Sequence, residues 1–156
     1  MVFLKAIDRT VSVALVVLTS VMVAVGATQV VSRYVFNNPL TWSEELMRYI
    51  FVWIVFLGTA LGMRRKMHLR VSFLFDSLPP KVRFRLGQVN YCLVMLLVVV
   101  LVYESAILTW HVRDQLSPAL RIPMSIPYSG MTVGSVLILI YAVAEFVEDV
   151  REGGGA

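Results

Sequence analysis

The chain has 156 residues, of which 58% are hydrophobic and 15% charged, and its mean hydropathy is +0.79. A soluble domain carries about 45–50% apolar and about 25% charged residues, and a disordered chain is poorer still in apolar residues, so both classes are excluded. The formal charge of +4 comes with no folded basic face for nucleic acid, and basic loops at a membrane surface account for it.

Four runs lack Asp, Glu, Lys and Arg: residues 10–32, 49–63, 86–103 and 122–144. A spanning helix needs about 20 apolar residues, a length that the first, third and last runs meet. The second has 15 residues. It would cross only about 22 Å of a hydrocarbon core about 30 Å thick. Begun at Trp42 it reaches 22 residues, and Glu44, Glu45 and Arg48 then fall in its first turns. The third run continues past Glu104 and stays neutral to Val112. The expected fold is an all-α integral membrane protein, one membrane domain over residues 1–156. Its four transmembrane helices are expected at about 10–32, 42–63, 86–111 and 125–147. All six prolines fall between or at the edges of these helices, as their cost in a helix interior requires.

Lys5 and Arg9 precede the first run as the basic segment of a signal peptide would. The neutral run is longer than the usual core of about 7–15 residues in such peptides, so a retained first helix is expected. The connection after it reads Arg33, Tyr34, then Asn37-Asn38-Pro39, a turn signal. Thr41 to Glu44 fits a capping box, with Glu44 reaching back to the helix start. Glu44 and Arg48 stand four apart and are expected to pair. Tyr34, Trp42 and Tyr49 suit the aromatic belt of a membrane interface. Carboxylates, an arginine and aromatics held at one membrane face make this connection the leading candidate for a partner contact.

Gly58 with Gly62, and Gly130 with Gly134, each have the spacing that lets membrane helices approach closely. Residues 64–85 carry seven basic side chains and one acid, interleaved with Val71, Phe73, Leu74, Phe75 and Leu78. That pattern reads as an interfacial segment lying on anionic headgroups, with His68 among its charges. Cys92, the one cysteine, reads as a small buried hydrophobe. His68 and His111 are expected at opposite ends of the helices, which leaves no pair to hold a haem. Counting Lys and Arg by loop gives ten on the side of the termini and four on the other, which places both termini in the cytoplasm. On the four-charge side, Arg33, Arg113 and Arg121 are available to meet a soluble partner.

The segments Gln29 to Asn37, Leu40 to Glu45, Arg48-Tyr49 with Trp53 and Gly58, and Arg64 to Leu69 together resemble the small membrane subunit, DctQ type, of tripartite ATP-independent periplasmic (TRAP) transporters. Where that family often has an acid after the His68 segment, Ser72 stands here. The resemblance implies a non-catalytic subunit of a secondary importer in a bacterial or archaeal cytoplasmic membrane. It implies two partners besides the bilayer: a large M-type subunit that moves as an elevator, and a periplasmic binding protein that delivers a carboxylate-bearing solute. Any Na⁺ coupling would belong to the large subunit, and no cofactor, metal or catalytic residue is expected in this chain. Arg33, Tyr34, Trp42, Glu44, Glu45, Arg48, Trp53, His68, Arg113 and Arg121 are the candidates for partner contact. A membrane anchor for a redox enzyme is the alternative. A small self-contained exporter is disfavoured, because it needs an ionisable residue near the middle of an early helix and residues 10–32 hold none.

Overall fold

The computed structural model describes residues 2–64 and 80–153. Among these residues the chain forms four helices: α1 (Val2–Tyr34), α2 (Ser43–Arg64), α3 (Pro80–His111) and α4 (Ser125–Gly153). Each contains a stretch long and apolar enough to cross a membrane: Ala6–Tyr34, Ser43–Met63, Val89–His111 and Ser125–Ala144. α1, α3 and α4 extend beyond their charge-free runs, because a helix may carry charge once it leaves the hydrocarbon. At 33 residues α1 is about 50 Å long, well over the thickness of a bilayer core. The basic stretch 65–79, His68 and the interfacial reading made for them lie outside the described residues.

The helices stand in a row, in the order α1, α2, α4, α3. α2 packs on α1 and α4, and α4 packs on α2 and α3. Successive helices are antiparallel, so one end of the row carries the connections 35–42 and 112–124. That end is called the loop end below, and the other the terminal end.

Each contact in the row has its own fastening. Between α2 and α4 it is steric. A Cβ on Gly130 would stand 2.8 Å from the Trp53 ring, and one on Gly134 would overlap the Phe56 Cβ and sit 3.0 Å from its carbonyl carbon. This pair of glycines therefore lets α2 approach α4. Gly58 and Gly62 have nothing within 4 Å of the corresponding positions and face away from the other helices. Between α3 and α4 the hydroxyls of Thr109 and Thr132 bond at 3.0 Å, and Tyr91 meets Phe146 edge-on. Between α1 and α2 Gln29 donates to Glu44 at 3.1 Å. At the terminal end Tyr141, 1% exposed, donates to Asp8 at 2.6 Å and ties α1 to α4. The core sits where α2, α3 and α4 meet, around Ala60, Met63, Val98, Ile138, Tyr141 and Ala142. Cys92 is exposed, contrary to expectation, because α3 is an edge helix and turns much of its surface outward.

Candidate functional site

The loop end is built from two short connections that the backbone fixes in place. α1 closes with Asn37 in the left-handed conformation at φ 49°, and the Asn38 N–H reaches back to the Ser32 carbonyl at 3.0 Å. Asparagine tolerates that conformation better than most side chains. Tyr34, Val35 and Phe36 are left strongly exposed at the tip.

α2 begins differently from the capping box expected. The Trp42 carbonyl accepts the first helical bond, from Leu46 at 3.0 Å, so Trp42 occupies the cap position. The fully buried Ser43 donates its hydroxyl to the Leu40 carbonyl at 2.7 Å. Glu44 is spent on Gln29 of α1, and among the described residues no ion pair joins it to Arg48. The reason is geometric: Glu44 points sideways toward α1, where an amide donor is already held.

Glu45 makes the long-range contact that the sequence reading assigned to neither acid. It is buried, and both carboxylate oxygens are occupied. Oε1 accepts from the Tyr49 hydroxyl at 2.6 Å, with Met124 Sδ 3.2 Å from the same hydroxyl. Oε2 accepts from the Ala119 N–H at 2.7 Å. Ala119 belongs to the connection 112–124, which is folded into a small cap. Leu116 and Pro123 pair as an antiparallel bridge, and Ser117 N–H reaches Ile122 O at 2.9 Å. Met124 N–H reaches Gln115 O at 2.8 Å. Arg121 holds a left-handed φ of 55° at the turn, and its N–H bonds back to Ser117 O. Ser117, 1% exposed, sits under the turn and receives the Ile122 N–H on its hydroxyl. One buried carboxylate thus clamps the cap onto the start of α2.

The exposed charge lies around this clamp. Arg33 ends α1, Arg48 follows one turn after Glu44, and Arg113 and Arg121 flank the cap, all exposed. Arg113 lies 4.0 Å over the Trp110 ring and pairs with the exposed Asp114 at 3.3 Å. Of the candidates named from sequence, the structure joins Glu44 to α1, Glu45 to the cap and Trp53 to Gly130. Arg33, Tyr34 and Trp42 stay separate on the surface. Gln29, Ser117, Ala119 and Met124 were missed as members of the site. The Glu45–Tyr49 spacing of four, one helical turn, was the available signal for the clamp.

A sequence profile for "Tripartite ATP-independent periplasmic transporters, DctQ component" matches residues 22–152. A protein of Haemophilus influenzae assigned as a TRAP transporter small permease protein is 24% identical over 139 residues, which cover 88% of this chain and 84% of that protein. The sialic acid TRAP transporter small permease protein SiaQ of Vibrio cholerae is 34% identical over 82 residues, 53% of this chain and 47% of that one. The isethionate TRAP transporter permease protein DctMQ of Oleidesulfovibrio alaskensis is 32% identical over 119 residues. These cover 74% of this chain and only 18% of the far longer relative.

Proposed function

Since the chain belongs to the DctQ component family of TRAP transporters, we propose that it is the fixed scaffold of an organic-acid importer and lends its loop end to docking of a periplasmic binding protein. As a family member it is a small permease subunit, non-catalytic, in the bacterial inner membrane, and such subunits work beside a large M-type permease. That assignment displaces the redox-anchor alternative. The solute reading draws on the relatives' names. Sialic acid is a carboxylate and isethionate a sulfonate, so the chemistry they share is an organic anion. Carboxylate specificity is an extension of this, and selection among anions is left to the large subunit and the binding protein.

The observation that carries the docking role is the clamped cap. A docking surface must hold its shape while the neighbouring permease moves, and the buried Glu45 carboxylate fixes connection 112–124 by accepting the Ala119 N–H. Exposed arginines on that surface would steer an acidic partner into register, an effect on encounter rate more than on final affinity. The excess of Lys and Arg at the terminal end supports a loop end that faces the periplasm.

Pull-down of the chain from its native membranes in mild detergent is expected to retain a large polytopic permease in equal proportion. Recovery with a soluble redox enzyme instead overturns the scaffold reading. Arg33→Glu with Arg113→Glu is expected to slow uptake driven by the binding protein by about tenfold at low salt, with the permease still retained. Unchanged uptake removes the loop end from docking.

A further inference from the structure

One carboxylate stands within the membrane with nothing in this chain to meet it. Glu104 lies in the spanning stretch Val89–His111 of α3 and is exposed, and among the described residues it has no hydrogen bond or ion pair. We propose that Glu104 and the apolar stripe around it on α3 are the seat for a spanning helix of the large permease that carries an arginine or lysine at the same depth. This seat rests on the scaffold reading, to which it adds a face and a chemistry.

The depth follows from the fastening of α3 to α4. Thr109 bonds Thr132 and Tyr91 meets Phe146, so the antiparallel pair sets Glu104 level with Ser135 and Val136. That level is within one helical turn of the middle of Ser125–Ala144, and Glu104 is about one turn from the middle of its own stretch. Headgroups begin about 15 Å from the middle of such a core, beyond the reach of a short glutamate side chain. A charge held in hydrocarbon is costly and as a rule faces a partner. Arg113, the nearest Lys or Arg along the chain, is nine positions on and already pairs with Asp114.

The surroundings of Glu104 have the spacing of a helix-packing seam. Leu93, Leu97, Val100, Glu104 and Leu108 recur every three or four residues, hence on one face, and all five are exposed. The buried Val98 and Ser105, with Thr109 bonded to α4, mark the inward face of α3. The stripe lies about a third of a turn round from them and looks out of the row.

Charge decides what covers the stripe. Lipid tails offer Glu104 no donor. A second copy of this chain, turned about an axis along the membrane normal, would set carboxylate against carboxylate, a like-charge contact. A helix with a guanidinium or ammonium at this depth completes the carboxylate, and polar bonds of this sort hold helices together in a bilayer. The large permease is the spanning partner in the scaffold reading.

The test compares how much permease stays with each variant of the full chain, drawn from native membranes in mild detergent. Glu104→Leu is expected to lower retention about tenfold, although it makes the stripe more apolar. Glu104→Lys should lower it further. Glu104 has no polar partner within the chain, so the melting midpoint of each purified variant should stay in place, which separates a lost contact from a lost fold. A second measurement puts a photo-crosslinking amino acid in place of Leu97 or Leu108, with Glu104 unaltered. It is expected to label a permease segment that holds an Arg or Lys, and changing that residue to Glu should restore retention of the Glu104→Arg chain. Full retention by Glu104→Leu overturns the seat and leaves the scaffold reading intact. So does a permease left unlabelled from both positions, or labelled in a segment with neither Arg nor Lys. Absence of the permease from the unaltered chain overturns both.

Discussion

Glu44 and Glu45 are neighbours with the same chemistry, yet they hold different parts of the molecule together. Glu44 braces α1 against α2, and Glu45 clamps the loop-end cap. Sequence supplied the local facts: acidic residues at a helix start, and a tyrosine one turn beyond. It did not supply the partners, because Gln29 and Ala119 are brought in by tertiary packing 15 and 74 positions away. The two have different consequences on removal. In Glu45→Ala the Ala119 amide and the Tyr49 hydroxyl lose the carboxylate they both donate to. Amide exchange at Ala119 should then rise by about ten- to a hundredfold, with the middle of α4 unchanged. Unaltered exchange at Ala119 would show that the cap holds without the clamp.

At the scale of elements, the helices were legible because absence of charge over a membrane thickness is a strong constraint. Their ends were less so. α3 starts at Pro80 and takes in Lys81, Arg83 and Arg85, since nothing in a charged turn forbids a helix outside the bilayer. The two glycine pairs illustrate the limit. They have identical spacing, but Gly130 and Gly134 lie under Trp53 and Phe56 while Gly58 and Gly62 look outward. Spacing reports that a face is small and is silent about what lies opposite. Gly134→Leu should therefore overpack the α2–α4 contact and cost about 1–3 kcal/mol, read as a lower melting midpoint of the purified chain. Gly58→Leu should leave that midpoint in place. If the two variants melt alike, the steric reading of the contact fails.

The whole molecule was legible as four spans and hidden as a row. Nothing in the periodicity of such apolar helices says which one stands in the middle, and the chain order α1 to α4 conceals that α4 separates α2 from α3. The orientation inferred from the Lys and Arg distribution has its own check. A cysteine placed at residue 3, after Cys92 is replaced, should resist an impermeant reagent in intact cells and react once the membrane is opened. Labelling of intact cells would invert the assignment and point the clamped cap at the cytoplasm.

A single file of helices is also a plate, and a plate has directional stiffness. Along the helix axes it is braced by continuous backbone hydrogen bonding and behaves as a strut. Across the axes it is held by side-chain contacts alone, the glycine approach of α4 to α2, the polar bonds Gln29–Glu44, Thr109–Thr132 and Tyr141–Asp8, and the apolar core between them. Such a plate can curve to follow the flank of a neighbouring protein while keeping its height across the membrane unchanged.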